Sequence, residues 1–154
     1  MRPQLEYAVQ AWRPLLAKDI AVLENVQKRA IRMTSGLKGR TYDEKLKEVG
    51  IQSLEDRRIR SDAVQTWKIL TRYDDVDETT WYTRCNEHAT RDTRQSSNLL
   101  NLRHRPFKYD YRKYSFGIRT TRQWNSLPDS IRESATLRQF KCSYDRFFKN
   151  AQRQ

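Results

Sequence analysis

Residues 41–73 read TYDEKLKEVGIQSLEDRRIRSDAVQTWKILTRY, and this stretch decides the fold class. It opens with a capping box, in which the Thr41 hydroxyl and the Glu44 carboxylate each satisfy a free backbone amide at a helix start. This helix ends at Gly50, a residue that suits the left-handed conformation of a helix C-terminus. A second helix follows and is predicted to run to about Tyr73.

Helical signals continue on both sides of this stretch. Upstream, apolar residues recur with helical spacing between Asp19, a predicted N-cap, and Gly36, a predicted stop. An earlier element ends at Pro14. Downstream, a second capping box spans Thr136 to Gln139 and opens a final helix. The sequence therefore predicts a mainly α protein, with a small helical bundle followed by a basic irregular segment and a C-terminal helix.

The composition changes after Tyr73 and suggests three regions. Residues 1–73 are predicted to form a helical domain, residues 74–83 an acidic linker, and residues 84–154 a basic aromatic segment with the C-terminal helix. Residues 84–122 hold ten Lys or Arg and three Asp or Glu, a local balance of +7. No apolar stripe of helical period is visible there, so we expect extended or loop structure.

The overall charge indicates the class of partner. Lys and Arg number 31 against 19 Asp and Glu, a formal net charge of +12, which favours phosphate-rich partners. No apolar run approaches the roughly 20 residues that span a bilayer, so we expect no membrane partner. The start of the sequence has no signal-peptide pattern, and two cysteines are too few for a disulfide framework. We expect an intracellular protein.

Two patterns could be mistaken for catalytic or metal sites. Residues 73–76 (YDDV) look like a polymerase signature, but the two carboxylates follow a helix, and no apolar strand upstream carries the partner that a two-metal site needs. A zinc site would need two close pairs of ligands, and the four Cys and His residues offer one such pair (CxxH at 85–88), while the other two are far apart in the sequence. We therefore predict no catalytic residues, no metal and no cofactor. The rejected zinc ligands are Cys85, His88, His104 and Cys142.

Basic residues interleaved with aromatic ones are the strongest functional signal. Lys and Arg neutralise phosphates and release counterions, while Tyr and Phe offer faces on which unpaired bases stack. The alternative is a solvated charged surface whose aromatic side chains pack inward. Trp12, Trp67 and Trp124 are assigned to the core. The candidate nucleic-acid-binding residues are Arg57, Arg58, Arg60, Arg103, Arg105, Lys108, Arg112, Lys113 and Arg119.

Several phrases occur in a recognisable order along the chain. They include residues 2–8 (RPQLEYA), residues 54–58 (LEDRR) and residues 124–128 (WNSLP). In this order they resemble the C-terminal region of LINE-type (non-LTR, jockey-like) retrotransposon reverse transcriptases. Residues 74–113 resemble that region least.

This resemblance implies a specific role. In that family the region follows the polymerase palm and includes the thumb, which grips the primer–template duplex, and the catalytic carboxylates lie upstream. The resemblance therefore implies that the helical domain of residues 1–73 is thumb-like. The expected function is a nucleic-acid-binding C-terminal fragment of an RNA-directed DNA polymerase, which holds RNA, DNA or their hybrid without catalysing synthesis, in the nucleus. The upstream palm is a further expected partner. Two alternatives stay open: a protein-interaction remnant, and a split subunit that completes a palm supplied by another chain.

We predict that the chain alone makes no DNA, because Asp74 and Asp75 lack the strand context of a two-metal site. Purified protein incubated with primer, template, Mg²⁺ and nucleotides should give no extended product. Extension that Asp75→Ala abolishes would contradict this prediction.

Overall fold

The computed structural model describes residues 5–33, 39–85 and 100–151. Within these ranges the chain is mainly helical, which confirms the predicted fold class, and no β-strand forms apart from one isolated antiparallel bridge between Arg84 and Leu102. No helix in these ranges is long and apolar enough to cross a membrane. The helices are α1 (Val9–Trp12), α2 (Ala17–Arg32), α3 (Tyr42–Val49), α4 (Leu54–Leu70), α5 (Glu78–Trp81), α6 (Asp110–Lys113), α7 (Phe116–Asn125), α8 (Asp129–Arg132) and α9 (Leu137–Ala151).

Two helices start at the predicted capping signals. At α3, Thr41 Oγ1 accepts a hydrogen bond from the Glu44 amide at 3.4 Å, and Glu44 Oε2 accepts one from the Thr41 amide at 2.8 Å. At α9, Thr136 Oγ1 accepts from the Gln139 amide at 3.2 Å. The Gln139 side chain reaches back to the amide of Ala135, one residue earlier than a full capping box requires.

Other helix ends differ from the predictions. The helix predicted to be capped by Asp19 begins at Ala17, and Asp19 lies in its first turn, where a carboxylate is favoured by the helix dipole. The predicted stop at Gly36 lies outside the described residues. The helix predicted to reach Tyr73 ends at Leu70, because Arg72 adopts a left-handed conformation with φ of 53°.

The chain divides into two compact units, Met1–Ser61 and Asp62–Gln154. The boundary therefore falls within α4, and not after Tyr73 as composition predicts. The reason is that Ala63, Trp67 and Ile69 belong to the core of the second unit. We call the two parts the N-terminal unit and the C-terminal unit.

A buried carboxylate organises the N-terminal unit. Glu24 on α2 is 9% exposed and accepts hydrogen bonds from the amide of Leu54, the first residue of α4, at 3.1 and 3.3 Å. The same carboxylate accepts a hydrogen bond from the Tyr42 hydroxyl. Burial of the Tyr42 hydroxyl, together with this bond, raises the pKa of Tyr42. Ile31 on α2 and Leu46 on α3 form a small buried apolar cluster. Glu24 therefore caps α4 from a distant part of the sequence.

Aromatic rings fill the core of the C-terminal unit. Phe140 on α9 is fully buried and stacks on Trp67 and Trp124, with ring centroids 5.8 and 6.2 Å apart. Tyr144, one helical turn after Phe140, extends the stack with a centroid distance of 6.0 Å. These contacts join α4, α7 and α9.

The structure corrects the prediction that residues 74–83 form an acidic linker. Asp77 accepts a 3.0 Å hydrogen bond from an amide in the first turn of α5. Tyr82 is only 4% exposed, and its hydroxyl lies 3.0 Å from Thr66 Oγ1 and 2.8 Å from Thr120 Oγ1. Burial raises the pKa of Tyr82, and these two hydroxyl contacts partly offset that rise. The acidic composition of this segment therefore does not indicate that it contains a buried core residue, Tyr82.

The basic segment is also more regular than predicted, because α7 occupies Phe116–Asn125. Its buried face includes Thr120 and Thr121, whose polar character hides the helical period in the sequence. Both hydroxyls are satisfied within the helix, by the carbonyls of Phe116 and Gly117 at 2.7 Å. Gly117 is required by close packing, since an added Cβ would lie 2.8 Å from the Trp81 carbonyl oxygen.

We predict that Trp67→Ala and Trp124→Ala each destabilise the protein by about 3–5 kcal/mol, the usual cost of removing a buried aromatic ring. The two side chains are 2% and 3% exposed. Thermal and urea unfolding followed by circular dichroism measure the change. Tyr111, 69% exposed, gives the control, and Tyr111→Ala should change stability by no more than about 0.5 kcal/mol. Unchanged melting of the tryptophan variants would contradict the prediction.

Candidate nucleic-acid interface

A cavity of about 220 Å³ opens in the C-terminal unit, where the turn between α6 and α7 meets the irregular segment before α6. Ser115 closes this turn, because its amide and hydroxyl both donate to the Arg112 carbonyl, at 3.0 and 2.7 Å. Ile118 and Arg122 lie one helical turn apart on α7 and so share a face. The cavity is lined by His104, Phe107, Lys113, Tyr114, Ile118, Arg119 and Arg122.

Arg119 is the most constrained of the basic residues here. Its Nε and Nη2 donate to the two carboxylate oxygens of Asp62, each at 3.0 Å, and its Nη1 donates to the Tyr114 carbonyl at 3.0 Å. The Asp62 side chain is fully buried. The charge of Arg119 is therefore compensated by Asp62, and its third nitrogen holds the Tyr114 backbone carbonyl at the edge of the cavity.

Lys113 and Arg122 are the exposed cations of the lining. Lys113 Nζ lies 5.5 Å from the centre of the Tyr114 ring, within cation–π range. Lys108 makes a similar contact with Tyr109 at 5.6 Å. These positions bring positive charge and aromatic surface together, as the sequence predicts for this segment.

Aromatic rings are also exposed near the cavity. The rings of His104 and Phe107 lie 5.9 Å apart at an angle of 53°. Tyr109 and Tyr111 stack at 5.8 Å with an angle of 12°, and both are more than half exposed. The alternative in which all aromatic side chains pack inward therefore does not hold for this segment.

The other predicted basic residues of this unit differ in their availability. Arg105 donates to the carbonyls of Thr79 and Thr80 at 3.0 and 3.3 Å and to the Thr83 hydroxyl at 3.1 Å, so it is docked on the end of α5. Arg103 is exposed, and its amide donates to the Thr83 carbonyl at 2.7 Å. Arg112 is exposed as well.

The three arginines predicted on α4 do not form an exposed cluster. Arg57 is half-buried and pairs with Glu6, and Arg60 is half-buried as well. Arg58 is 1% exposed, and its guanidinium lies 5.8 Å from the centre of the Trp12 ring, with no hydrogen-bond partner among the described residues. Burial lowers the pKa of Arg58. This corrects the prediction for Arg58, whose position one turn after the buried Leu54 turns it inward.

In the acidic pair after α4, Asp74 is held in local contacts, while Asp75 is exposed. Asp74 accepts hydrogen bonds from Gln65 at 2.9 Å and Lys68 at 3.2 Å, and both lower the pKa of its carboxyl group, the Gln65 bond most. Throughout residues 5–33, 39–85 and 100–151, no group of three His, Cys, Asp or Glu side chains is placed to hold a metal ion. Of the rejected zinc ligands, Cys85 is half-buried, while His88 lies outside these ranges.

The sequence-based selection missed several residues of the cavity. Arg122 follows Ile118 by one turn, but this relation is visible only once α7 is known to be a helix. In the sequence, His104 stands out only as a candidate metal ligand, and Phe107 only as one ring of a general aromatic pattern. If Thr120 and Thr121 are accepted as buried residues, the sequence predicts helix α7, and the helix in turn places Ile118 and Arg122 on one face.

Comparison with known proteins gives no match to a family model, a curated protein or a solved structure. The cavity and its surroundings combine exposed cations, aromatic rings and one internally compensated arginine.

We predict that Arg119→Met lowers the free energy of unfolding by about 3–5 kcal/mol, because the buried Asp62 carboxylate loses its charged partner. The double variant Asp62→Leu with Arg119→Met should recover much of this loss, since it removes both charges. Urea unfolding of the two single variants and the double variant measures the coupling. Additive losses, or weaker nucleic-acid binding with unchanged stability, would show that Arg119 acts at the surface instead.

Proposed function

We propose that this protein is a non-enzymatic nucleic-acid-binding module that holds the sugar–phosphate backbone of RNA, DNA or their hybrid. The observation that carries the proposal is the cavity in the C-terminal unit, where exposed Lys113 and Arg122 stand beside the aromatic rings of Phe107 and Tyr114. Cations neutralise phosphates whatever the base sequence, so we expect little sequence preference.

The distribution of charge supports a polyanionic partner. Lys108, Arg112 and Lys113 lie within six residues of one another along the chain, and all three are exposed. Such a local cluster attracts phosphates over roughly a Debye length, about 8–10 Å at physiological salt. A neutral partner would gain nothing from this arrangement.

The origin of the module is part of the same proposal. The order of sequence phrases favours the post-palm, thumb-containing region of a LINE-type reverse transcriptase, acting in the nucleus. A thumb holds its duplex through backbone charge, which is compatible with the exposed cations of the C-terminal unit. In this proposal any synthesis depends on a palm domain upstream.

A protein-interaction role is the second candidate, and one observation favours it. The N-terminal unit has an open cavity of about 470 Å³ along α2, lined in part by Val22 and Met33, which are 62% and 83% exposed. Apolar side chains exposed in this way are common at protein contacts. Binding of nucleic acid that is weak and insensitive to salt would favour this candidate.

We predict that Lys113→Gln with Arg122→Gln weakens nucleic-acid binding alike on unrelated sequences. If about five phosphates are engaged, log affinity of the intact protein falls with log salt at a slope near −3.5 for a single strand. Losing two phosphate contacts makes the slope shallower by up to roughly 1.4. Fluorescence anisotropy with labelled oligonucleotides at several salt concentrations measures both quantities.

A charge-matched control separates local contacts from net charge. Arg138 and Arg146 on α9 are exposed and do not line the cavity. Arg138→Gln with Arg146→Gln removes the same charge and should leave the slope nearly unchanged. Equal effects of the two double variants would refute a localised interface, and a flat salt response of the intact protein would refute the proposed function.

A further inference from the structure

We propose that the cavity beside α7 holds one unpaired base of the bound strand, a proposal that rests on the nucleic-acid binding proposed above. Its lining includes three aromatic rings, those of His104, Phe107 and Tyr114. Every nucleobase has a π-face, so stacking on such walls tolerates any sequence.

The size of the cavity favours a single ring system. Its volume of about 220 Å³ lies below the roughly 300–1,000 Å³ of pockets that enclose drug-sized ligands. The side chains of Phe107 and Ile118 are half-buried, so both offer apolar surface to a flat ligand while remaining accessible. A base attached to an external backbone fits these limits.

The polar groups of the cavity favour a base over a phosphate inside it. All three guanidinium nitrogens of Arg119 are engaged, two with the Asp62 carboxylate and one with the Tyr114 carbonyl. An anion placed against Arg119 would have to compete with a buried carboxylate. Lys113 and Arg122 are exposed, which suits the phosphates that flank an inserted base.

This arrangement distinguishes single strands from duplex. A base in a duplex is stacked and paired, and removing it costs a few kcal/mol. In a single strand the bases are unpaired, so inserting one of them into the cavity breaks no base pair. The cavity should therefore favour single-stranded segments, whereas the exposed cations bind both forms.

The test uses the full chain and two probes of equal charge. One is a labelled oligothymidine of about twelve nucleotides, within the range of single-strand site sizes, and the other is the same phosphodiester with every base removed. We expect the abasic strand to bind about tenfold more weakly to the unmodified protein. Phe107→Leu, which keeps apolar volume but removes the ring, should abolish that difference by weakening the binding of the oligothymidine.

Tyr111→Leu is the matched control, because Tyr111 is an exposed aromatic residue that does not line the cavity. This variant should keep the tenfold difference. Tyr114→Leu is a second cavity variant and should act like Phe107→Leu. Thermal melting of each variant identifies a loss that comes from unfolding, which would weaken the binding of both probes together.

The outcomes separate this proposal from the function on which it rests. Equal affinity for the two probes, with the salt dependence retained, would refute the base pocket and leave the backbone grip intact. A difference abolished by Tyr111→Leu but kept by both cavity variants would place stacking on the Tyr109–Tyr111 pair and also refute the pocket. Failure of both probes to bind would refute the nucleic-acid function itself.

Discussion

The buried ion pair between Asp62 and Arg119 is the interaction on which the C-terminal unit depends most. It joins α4 to α7 through two 3.0 Å hydrogen bonds, although the residues are 57 positions apart. Removing a carboxylate from water is costly, and the cost is offset only when its partner satisfies it with good geometry. The pair therefore fixes the rotation of α7, and with it the side of the helix on which Ile118 and Arg122 lie.

A second polar contact reinforces the same geometry. The Tyr82 hydroxyl lies between Thr66 on α4 and Thr120 on α7, so the two helices are joined through a buried ring that a short segment after α5 supplies. Aromatic stacking of Trp67, Phe140 and Trp124 supplies the apolar part of this core. Hydrogen bonds are directional, so the contacts of Tyr82 set how α4 and α7 align. The aromatic stack buries apolar surface but restricts the alignment of the helices less.

The sequence predicts the fold class well and the candidate interface only in part. The Thr41–Glu44 capping box can be recognised from the sequence, because the capping residues and the helix that they start are neighbours in the chain. Burial depends on contacts between distant residues, so Arg58 and Arg119 read as surface charges although one is buried and the other is ion-paired. Arg122 was missed because two buried threonines interrupt the apolar pattern of α7.

The ion pairs that arginines form within the protein do not account for its excess of positive charge. Arg119 and Arg57 pair with carboxylates, and each such pair contributes no net charge. With 31 basic and 19 acidic side chains, one-to-one pairing of every acidic group would still leave a formal excess of twelve cations. Structural ion pairs therefore cannot account for the composition. Self-repulsion of this excess destabilises the compact state, and a polyanion bound as proposed above would relieve that repulsion and stabilise the fold.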